Sequence, residues 1–339
     1  MKNTQVTIRD LALKLGFSIS TVSRALRNAS NVDPEKKKHV LELAEKLHYQ
    51  PNRVAQNLRI KKTNTLGVVV PQINLHFFSS VISGIQEYAA MHNYGVMICQ
   101  SLESLMIEQA NIQMLVSNRV DGLLISLSSE TNSFGHLQTL LDKRIPVVLF
   151  DRITDSVHAN KVIVDDRDGA SKATEYLVRT GCKTIAYIGG PEHLYISNQR
   201  LKGYTDALQR NAIPVDGDFI FHCHNLKSDV IAATDRLLSR NKRPDAILCL
   251  NDPVAVQVMQ ILKHKNIRIP DDISIIGFTN EPVSQFIEPS LTTVSQPADE
   301  IGRVAAALFL EQMEGKDDFE PVTKTLSTEL LIRNSTRSI

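Results

Sequence analysis

The chain of 339 residues is long enough for two or three domains with cores of their own. Residues 1–62 carry 13 Lys+Arg against 5 Asp+Glu, a net charge of +8, whereas the remainder carries 25 against 32, a net of −7. A small basic head on an acidic body predicts that a polyanion meets the head only. No run approaches the roughly 18 apolar residues of a membrane helix, and no apolar signal core begins the chain, so we expect a soluble, cytoplasmic protein. The four widely spaced cysteines have no metal-ligand spacing and indicate buried thiols.

Residues 7–28 are predicted to form two short helices joined by a tight turn. Thr7 and Ser18 are good N-caps, and Gly16 is suited to the left-handed conformation that ends a helix. The outer face of the second helix then presents Ile19, Ser20, Ser23, Arg24 and Arg27. Such an arrangement is typical of a recognition helix in a DNA major groove. A helical hairpin inside a larger domain is the alternative.

A third helix is predicted to begin at Asp33, with Pro34 at its first position. The lysines at 36–38 oppose the helix dipole there, but they suit a position beside phosphates. The following segment, 51–64, contains a helix-compatible stretch of only about two turns, too short to be stable alone. We therefore expect a hinge that orders on a partner, with a plain solvated linker as the alternative.

From residue 65 onward, apolar strands alternate with amphipathic helices. The predicted strands form one set at 65–71, 94–99, 121–127 and 145–150 and a second set at 161–164, 184–188, 245–250 and 273–278. Predicted helices lie near 78–92, 104–118, 134–143, 168–180, 198–211, 228–240, 253–265 and 297–314. This alternation indicates two doubly wound subdomains with parallel sheets and a cleft between them. Ligands of such folds bind beyond the carboxyl ends of the strands. Polar pairs occupy those ends: Asp151-Arg152, Asp165-Asp166, Asn251-Asp252 and Thr279-Asn280.

These motifs resemble the lactose/galactose-repressor (LacI-type) family of bacterial transcription regulators. The resemblance rests on V-T-I-R-D-L-A-L-K-L-G-F-S-I-S-T-V-S-R-A-L-R-N at 6–28, Y-Q-P-N-R-V-A-Q-N-L at 49–58, P-V-V-L-F-D-R at 146–152, N-D-P-V-A at 251–255, P-D-D-I-S-I-I-G-F at 270–278 and P-S-L-T-T-V-S-Q-P at 289–297. It covers nearly the whole chain, in order. It implies a small all-α helix-turn-helix head and an α/β body of two doubly wound parallel-sheet subdomains, like the periplasmic sugar-binding proteins.

The resemblance also implies domain bounds. The DNA-binding domain is expected at 1–50, the hinge at 51–64 and the effector-binding and dimerisation domain at 65–339. Within that body, the N-subdomain is expected at about 65–164 plus 293–320. The C-subdomain is expected at about 165–292 plus 321–339, with the chain crossing twice between them. No leucine-heptad tail follows, so a dimer is expected rather than a tetramer.

In the family, base-reading positions match Ile19, Ser20 and Arg24, and a hinge leucine that wedges into the minor groove matches Leu58. The full set of expected DNA contacts is Thr7, Ser18, Ile19, Ser20, Thr21, Ser23, Arg24, Asn28, Lys37, Asn52, Arg53, Ala55, Gln56 and Leu58. The expected partner is a palindromic operator in double-stranded DNA.

Expected effector contacts in the cleft are Phe77, Phe78, Asp151, Arg152, Arg200, Asn251, Asp252, Thr279 and Gln296. Alternatives stay open: the phenylalanines suit the core, Arg152 suits a pair with Asp151 or a helix end, and Arg200 suits solvent. Asp165 and Asp166 are interpreted as a cap for the helix near 168–180 plus a possible effector contact. Leu75-His76 and Thr279 depart from the family pattern, which has Asn-Pro and Asp there, so ligand chemistry does not transfer directly.

A ligand-controlled transcription regulator is the predicted function. A sugar or sugar derivative is the expected effector, with a nucleoside or purine as the alternative; neither a metal nor a cofactor is expected. A pure sugar-binding protein would have no use for residues 1–62. An enzyme is disfavoured, since no G-x-G-x-x-G after a strand, no phosphate-binding loop and no nucleophile elbow is present.

Overall fold

The structure is a computed structural model that describes residues 6–29, 31–49, 62–224, 227–315 and 320–338. By its internal contacts the chain divides into a head, Met1–Thr63, and a body, Asn64–Ile339. The predicted hinge contacts Asn52, Arg53, Ala55, Gln56 and Leu58 lie outside the described residues.

The head contains α1 (Ile8–Leu15), α2 (Ile19–Leu26) and α3 (Pro34–Lys46). Its predicted caps are confirmed: the Thr7 hydroxyl accepts from the backbone N–H of Asp10, the Asp10 carboxylate accepts from the backbone N–H of Thr7, and Ser18 caps α2. Gly16 ends α1 with φ = 65°, a conformation that glycine adopts without steric cost. A small core holds the three helices together: Leu11, Ala12, Val22, Ala25, Val40 and Ala44.

The body contains two six-stranded sheets. The first has the strand order β11-β5-β4-β3-β1-β2, with β1 (Thr65–Val70), β2 (Gly95–Gln100), β3 (Gly122–Ile125), β4 (Val147–Phe150), β5 (Asn160–Val164) and β11 (Thr323–Leu326). All of its neighbouring strands are parallel. Four helices belong to it: α4 (His76–Met91), α5 (Leu105–Ser117), α6 (Gly135–Asp142) and α11 (Ala298–Glu314). We call this unit the first lobe.

The second sheet has the order β12-β10-β9-β8-β6-β7. Its strands are β6 (Ile185–Gly189), β7 (Ile220–His222), β8 (Ala246–Cys249), β9 (Ser274–Thr279), β10 (Thr292–Ser295) and β12 (Glu329–Leu331). Only its edge strand β12 is antiparallel to its neighbour. With it pack α7 (Asp166–Arg179), α8 (Tyr195–Arg210), α9 (Lys227–Leu238) and α10 (Asp252–His264). We call this unit the second lobe; short 3₁₀ turns lie at Gly217–Phe219 and Pro282–Gln285.

The chain passes between the lobes three times, the number that the four expected segments imply, and not twice as was expected for the crossings. It crosses after β5, after β10 and again between β11 and β12. The strand at 161–164, grouped above with the second set, therefore belongs to the first sheet. The expectation that 293–320 lies in the first lobe and 321–339 in the second is wrong for β10 and β11, which pair with β9 and β5 respectively. Both strands are only four residues long, and each contains two threonines instead of forming an apolar run, so their sheet could not be inferred from periodicity.

Helices α4 and α11 approach each other closely in the first lobe. A Cβ atom on Gly84 would collide with the backbone oxygen of Asp299, and one on Gly302 would collide with that of Val81. The two glycines thus allow the helices to touch along their backbones. This contact fixes α4, whose first turn carries Phe77 and Phe78 into the cleft.

Candidate functional site

A cavity lies between the lobes at the carboxyl ends of the strands. Several lining residues lie at or just beyond the carboxyl ends of five strands, β4, β6, β8, β9 and β10. This is the position expected for a ligand in an open α/β sheet. The full lining is Leu75, Phe77, Phe78, Asp151, Arg152, Pro191, Leu194, Ile196, Ser197, Arg200, Leu250, Asn251, Pro253, Thr279, Glu281 and Gln296.

The structure brings eight of the nine predicted effector residues to this cavity; Asp252 is the exception. The Asp252 carboxylate is fully buried and accepts hydrogen bonds from the Ser284 hydroxyl (2.5 Å), the Thr293 hydroxyl (2.6 Å) and the backbone N–H of Glu281 (2.7 Å). Its oxygens are therefore committed to the second lobe. We correct the prediction: Asp252 does not line the cavity, and it organises the loop after β9 instead.

Arg200 lines the cavity, and its guanidinium is held by three contacts. Its Nε donates to Asp166 Oδ1 (2.8 Å), and its Nη1 donates to the backbone oxygen of Leu250 (2.6 Å). The guanidinium carbon lies 3.7 Å from the centroid of the Phe278 ring, a stacked cation–π contact. Only 4% of the Arg200 side chain is exposed, so the alternative of a solvated arginine is wrong.

Arg152 forms its ion pair with Glu103, not with Asp151. Its Nη1 lies 2.6 Å from Glu103 Oε2, which also accepts from the backbone N–H of Ser129 (2.7 Å). Both cavity arginines are thus neutralised by carboxylates of their own lobe. The cavity offers no unpaired cation among its lining residues for an anionic ligand.

Phe77 and Phe78 serve two purposes. Both are more than 90% buried and belong to the core of the first lobe, as the alternative interpretation held, and both also line the cavity. Their rings meet edge to face with centroids 5.1 Å apart. They supply an apolar wall.

Several buried polar atoms beside this wall have no hydrogen-bond partner among the described residues. These are both amide atoms of Gln296, Oγ1 of Thr279, Oγ of Ser197 and Nε of Arg152. A buried polar group without a partner is destabilising and is rare in native proteins. Their gathering at one cavity indicates a place for a ligand with hydroxyl, amide or ring-nitrogen groups.

Asp151 and Thr279 have unusual backbone conformations at the cavity, with φ of 58° and 103°. Positive φ is a steric outlier for a β-branched residue, and such outliers cluster at functional sites. Burial raises the pKa of Asp151 to about 7, although Arg152 and Arg200 oppose that shift.

Asp165 and Asp166 have separate roles. Asp165 caps α7 by accepting from the backbone N–H of Asp168 (2.9 Å), as predicted, while Asp166 pairs with Arg200. Sequence reasoning missed the cavity residues Ser197 and Glu281, and it missed Glu103, which pairs with the cavity residue Arg152. The partners of Glu103 and Glu281 are distant along the chain. Only Glu281 carried a local signal, because it lies two residues after Thr279, where the family pattern has Asp.

In the head, the outer face of α2 is available to a partner. Ile19 is 45% exposed, and Ser20 and Arg24 are exposed, whereas Thr21 and Ser23 are half-buried. Arg24 Nε donates to the backbone oxygen of Ser20 within the helix (3.2 Å), which extends the guanidinium along the surface. Thr7, Ser18 and Asn28 lie exposed at the helix ends, and Lys37 lies in the first turn of α3.

Comparison with known proteins agrees with the description of both the helical head and the α/β body. Residues 7–52 match "Bacterial regulatory proteins, lacI family", and residues 174–336 match "Periplasmic binding protein-like domain". The HTH-type transcriptional repressor CytR of Escherichia coli (strain K12) is 33% identical over 344 residues, covering 100% of this chain and 98% of the relative. The chain belongs to the lacI family.

Solved structures extend this likeness to the whole fold. The Lac repressor dimer bound to operator and the anti-inducer ONPF has a TM-score of 0.87 and 25% identity, with 99% of this chain and 100% of that chain covered. The complex of the transcriptional regulator CelR with cellobiose has a TM-score of 0.75 and 25% identity, with 98% and 100% covered. This lacI-family protein is therefore a DNA-binding transcriptional regulator and not an enzyme, as predicted.

Two further observations concern the described residues alone. No described helix is long and apolar enough to cross a membrane. Among the described residues, no group of three or more His, Cys, Asp or Glu side chains could hold a metal ion.

Proposed function

We propose that this protein is a cytoplasmic transcriptional repressor whose affinity for operator DNA is set by an uncharged, hydroxyl-rich effector, a sugar or sugar derivative, bound between the lobes. The observation that carries the proposal is the set of unpartnered polar atoms at Gln296, Thr279 and Ser197 beside the apolar wall of Phe77 and Phe78. A pyranose has a matching character, with hydroxyl groups around its rim and an apolar face.

The charges of the cavity favour a neutral ligand. Arg152 and Arg200 are each paired with a carboxylate, and Glu281 adds a further carboxylate to the lining. A phosphate or carboxylate on the ligand would be repelled by the excess negative charge of the cavity, because both lining arginines are already paired with carboxylates. We therefore expect a sugar to bind more tightly than its phosphate ester.

A nucleoside or purine is the second candidate. The amide oxygen and the amide nitrogen of Gln296 both lack a hydrogen-bond partner in the described part of the chain, and such an amide can bind the edge of a base bidentately. The aromatic rings of Phe77 and Phe78 also suit a planar base.

A thermal-shift panel of sugars, their phosphates and nucleosides distinguishes these candidates. A ligand present at 100 times its dissociation constant stabilises the folded protein by about 2.7 kcal/mol, an easily measured change. Stabilisation by sugars alone supports the first candidate, and stabilisation by nucleosides alone supports the second. If only sugar phosphates stabilise the protein, the charge argument is wrong.

We propose that the repressor acts as a homodimer on a palindromic operator, because the first lobe exposes several apolar side chains between residues 91 and 114. They are Met91 (69% exposed), Ile98 (39%), Leu102 (60%), Met106 (74%) and Met114 (40%). Exposed apolar side chains that recur within one region are typical of protein interfaces. Met106→Lys should weaken the dimer in sedimentation velocity, whereas the control Ile231→Lys on α9 should not; equal sedimentation of both variants and the parent would exclude this surface.

A further inference from the structure

Helix α4 begins without a cap from its own neighbourhood. Its N-cap residue is Leu75, which has no side chain able to accept from the exposed backbone N–H groups of the first turn. Two of those groups, on His76 and Phe77, donate instead to Oε2 and Oε1 of Glu281, each over 3.3 Å. Glu281 lies more than 200 residues further along the chain, in the second lobe.

The charge of the Glu281 carboxylate and the direction of the two N–H groups of α4 both favour this contact. The N-terminus of a helix is electropositive, and a carboxylate bound there makes charge-assisted hydrogen bonds. Glu281 is itself anchored, since its backbone N–H donates to the buried Asp252 carboxylate (2.7 Å). The chain of contacts therefore runs from the core of the second lobe to the first turn of α4.

Few other hydrogen bonds join the two lobes in the described part of the body. Within the described part of the body, and apart from the three connecting segments, the other hydrogen bond between lobes joins His193 Nε2 to the backbone oxygen of Ser129 (2.6 Å). Glu281 and Phe77 both line the cavity, whereas His193 lies at a neighbouring one. The Glu281 contact is thus the one that acts at the effector cavity.

We propose that Glu281 is a positioning residue that sets the separation of the lobes and holds Phe77 over the cavity by capping α4 from the opposite lobe. A carboxylate can accept about four hydrogen bonds; two come from α4, so a ligand hydroxyl or N–H can donate to the same group. A ligand that does so bridges the lobes further. The effect on operator affinity rests on the proposed function, but the lobe separation does not.

The chain offers a matched control in Glu130. Its Oε2 accepts from the backbone N–H of Leu105 at the start of α5, a helix whose N-cap Ser104 makes no side-chain cap of its own. Both partners lie in the first lobe. Glu130→Gln therefore removes a carboxylate from a helix N-terminus without removing a contact between lobes.

The test measures distances between nitroxide labels in ligand-free protein by pulsed electron paramagnetic resonance. Labels at Ser83→Cys in α4 and Gln260→Cys in α10 occupy exposed positions on opposite lobes, in a background where the half-buried Cys99 is serine. We expect Glu281→Gln to add a longer-distance component, Glu281→Ala to add a larger one, and Glu130→Gln to match the parent. If both Glu281 variants keep the parental distribution, or if Glu130→Gln changes it equally, the proposal is overturned.

Operator binding by the same proteins separates this proposal from the proposed function. If lobe distances respond to Glu281 but no ligand alters operator affinity in the parent, the proposed function fails and the positioning role stands. If ligands do alter operator affinity and the distances ignore Glu281, the positioning role alone fails.

Discussion

Gln296 is buried at the cavity, and neither of its amide atoms is hydrogen-bonded to another described residue. Gln296→Met should leave the free energy of unfolding of the ligand-free protein within about 1 kcal/mol of the parent, because no intramolecular hydrogen bond is lost. Ligand-induced stabilisation should fall sharply in thermal-shift measurements. Gln257→Met is the control, since Gln257 also has a buried, unpartnered amide oxygen but does not line the cavity. A Gln296 variant that binds like the parent would remove this residue from the site.

Asp151 should make folding stability depend on pH. Burial raises its pKa from 3.8 to about 7 in the folded protein. Between these values the folded state retains a proton that the unfolded state has lost, so this residue makes stability fall as pH rises from about 4 to 7. Asn is uncharged and tolerates positive φ, so Asp151→Asn should be more stable than the parent above pH 7 and lose that advantage toward pH 4. Urea unfolding across this range tests it; a constant difference would contradict the raised pKa.

Arg200 has a structural role, because it neutralises Asp166 inside the second lobe. Arg200→Ala leaves that carboxylate buried and unpaired, which destabilises a protein by roughly 3–5 kcal/mol. Combining Arg200→Ala with Asp166→Asn should recover part of the loss, since the effects of substitutions at residues in contact are not additive. Urea unfolding of the single and double variants measures this coupling. Strictly additive losses would mean that the two side chains act independently.

At the scale of elements, α2 is the part of the head that reads DNA bases in our account. Arg24→Ala should cost about 1–3 kcal/mol of binding free energy on the true operator and flatten the preference at one symmetric position. Lys37→Ala, at the start of α3, should weaken binding to all sequences alike and reduce the salt slope by about one. Selection from a random duplex library, followed by salt titration, compares the two. If the Arg24 variant selects the same sequence as the parent, the base-reading assignment is wrong.

Elements with a strong local signal could be predicted from the sequence. The three head helices and their caps follow from Thr7, Gly16, Ser18 and Asp33, each of which acts within a few residues. Four short strands were not predicted. They are the edge strands β7, β11 and β12 and the strand β10, after which the chain passes between the lobes, and each is three or four residues long. They were missed because their place is set by pairing with distant strands rather than by an apolar run of their own.

At the scale of the whole molecule, the location of the cavity could be predicted from the sequence, but the hydrogen bonds and ion pairs among its residues could not. Residues after β4, β8 and β9 had to meet because parallel strands end together. Whether Arg152 would pair with Asp151 or with Glu103, and whether Asp252 would face a ligand or Ser284, depends on side-chain packing across loops. The link from Glu281 to α4 joins residues more than 200 positions apart, which no local pattern reveals.

We infer that a ligand in the cavity controls DNA binding by the head, through a shift in the balance of body conformations. Operator affinity should therefore be measured by fluorescence anisotropy, with the duplex selected by the full chain and with the compound that stabilises the protein most in the thermal-shift panel. We expect a saturating concentration of the compound to change the dissociation constant for the operator at least severalfold in the parent and to leave it unchanged in Gln296→Met. An operator affinity that is the same with and without the bound compound in the parent would mean that the cavity does not control DNA binding.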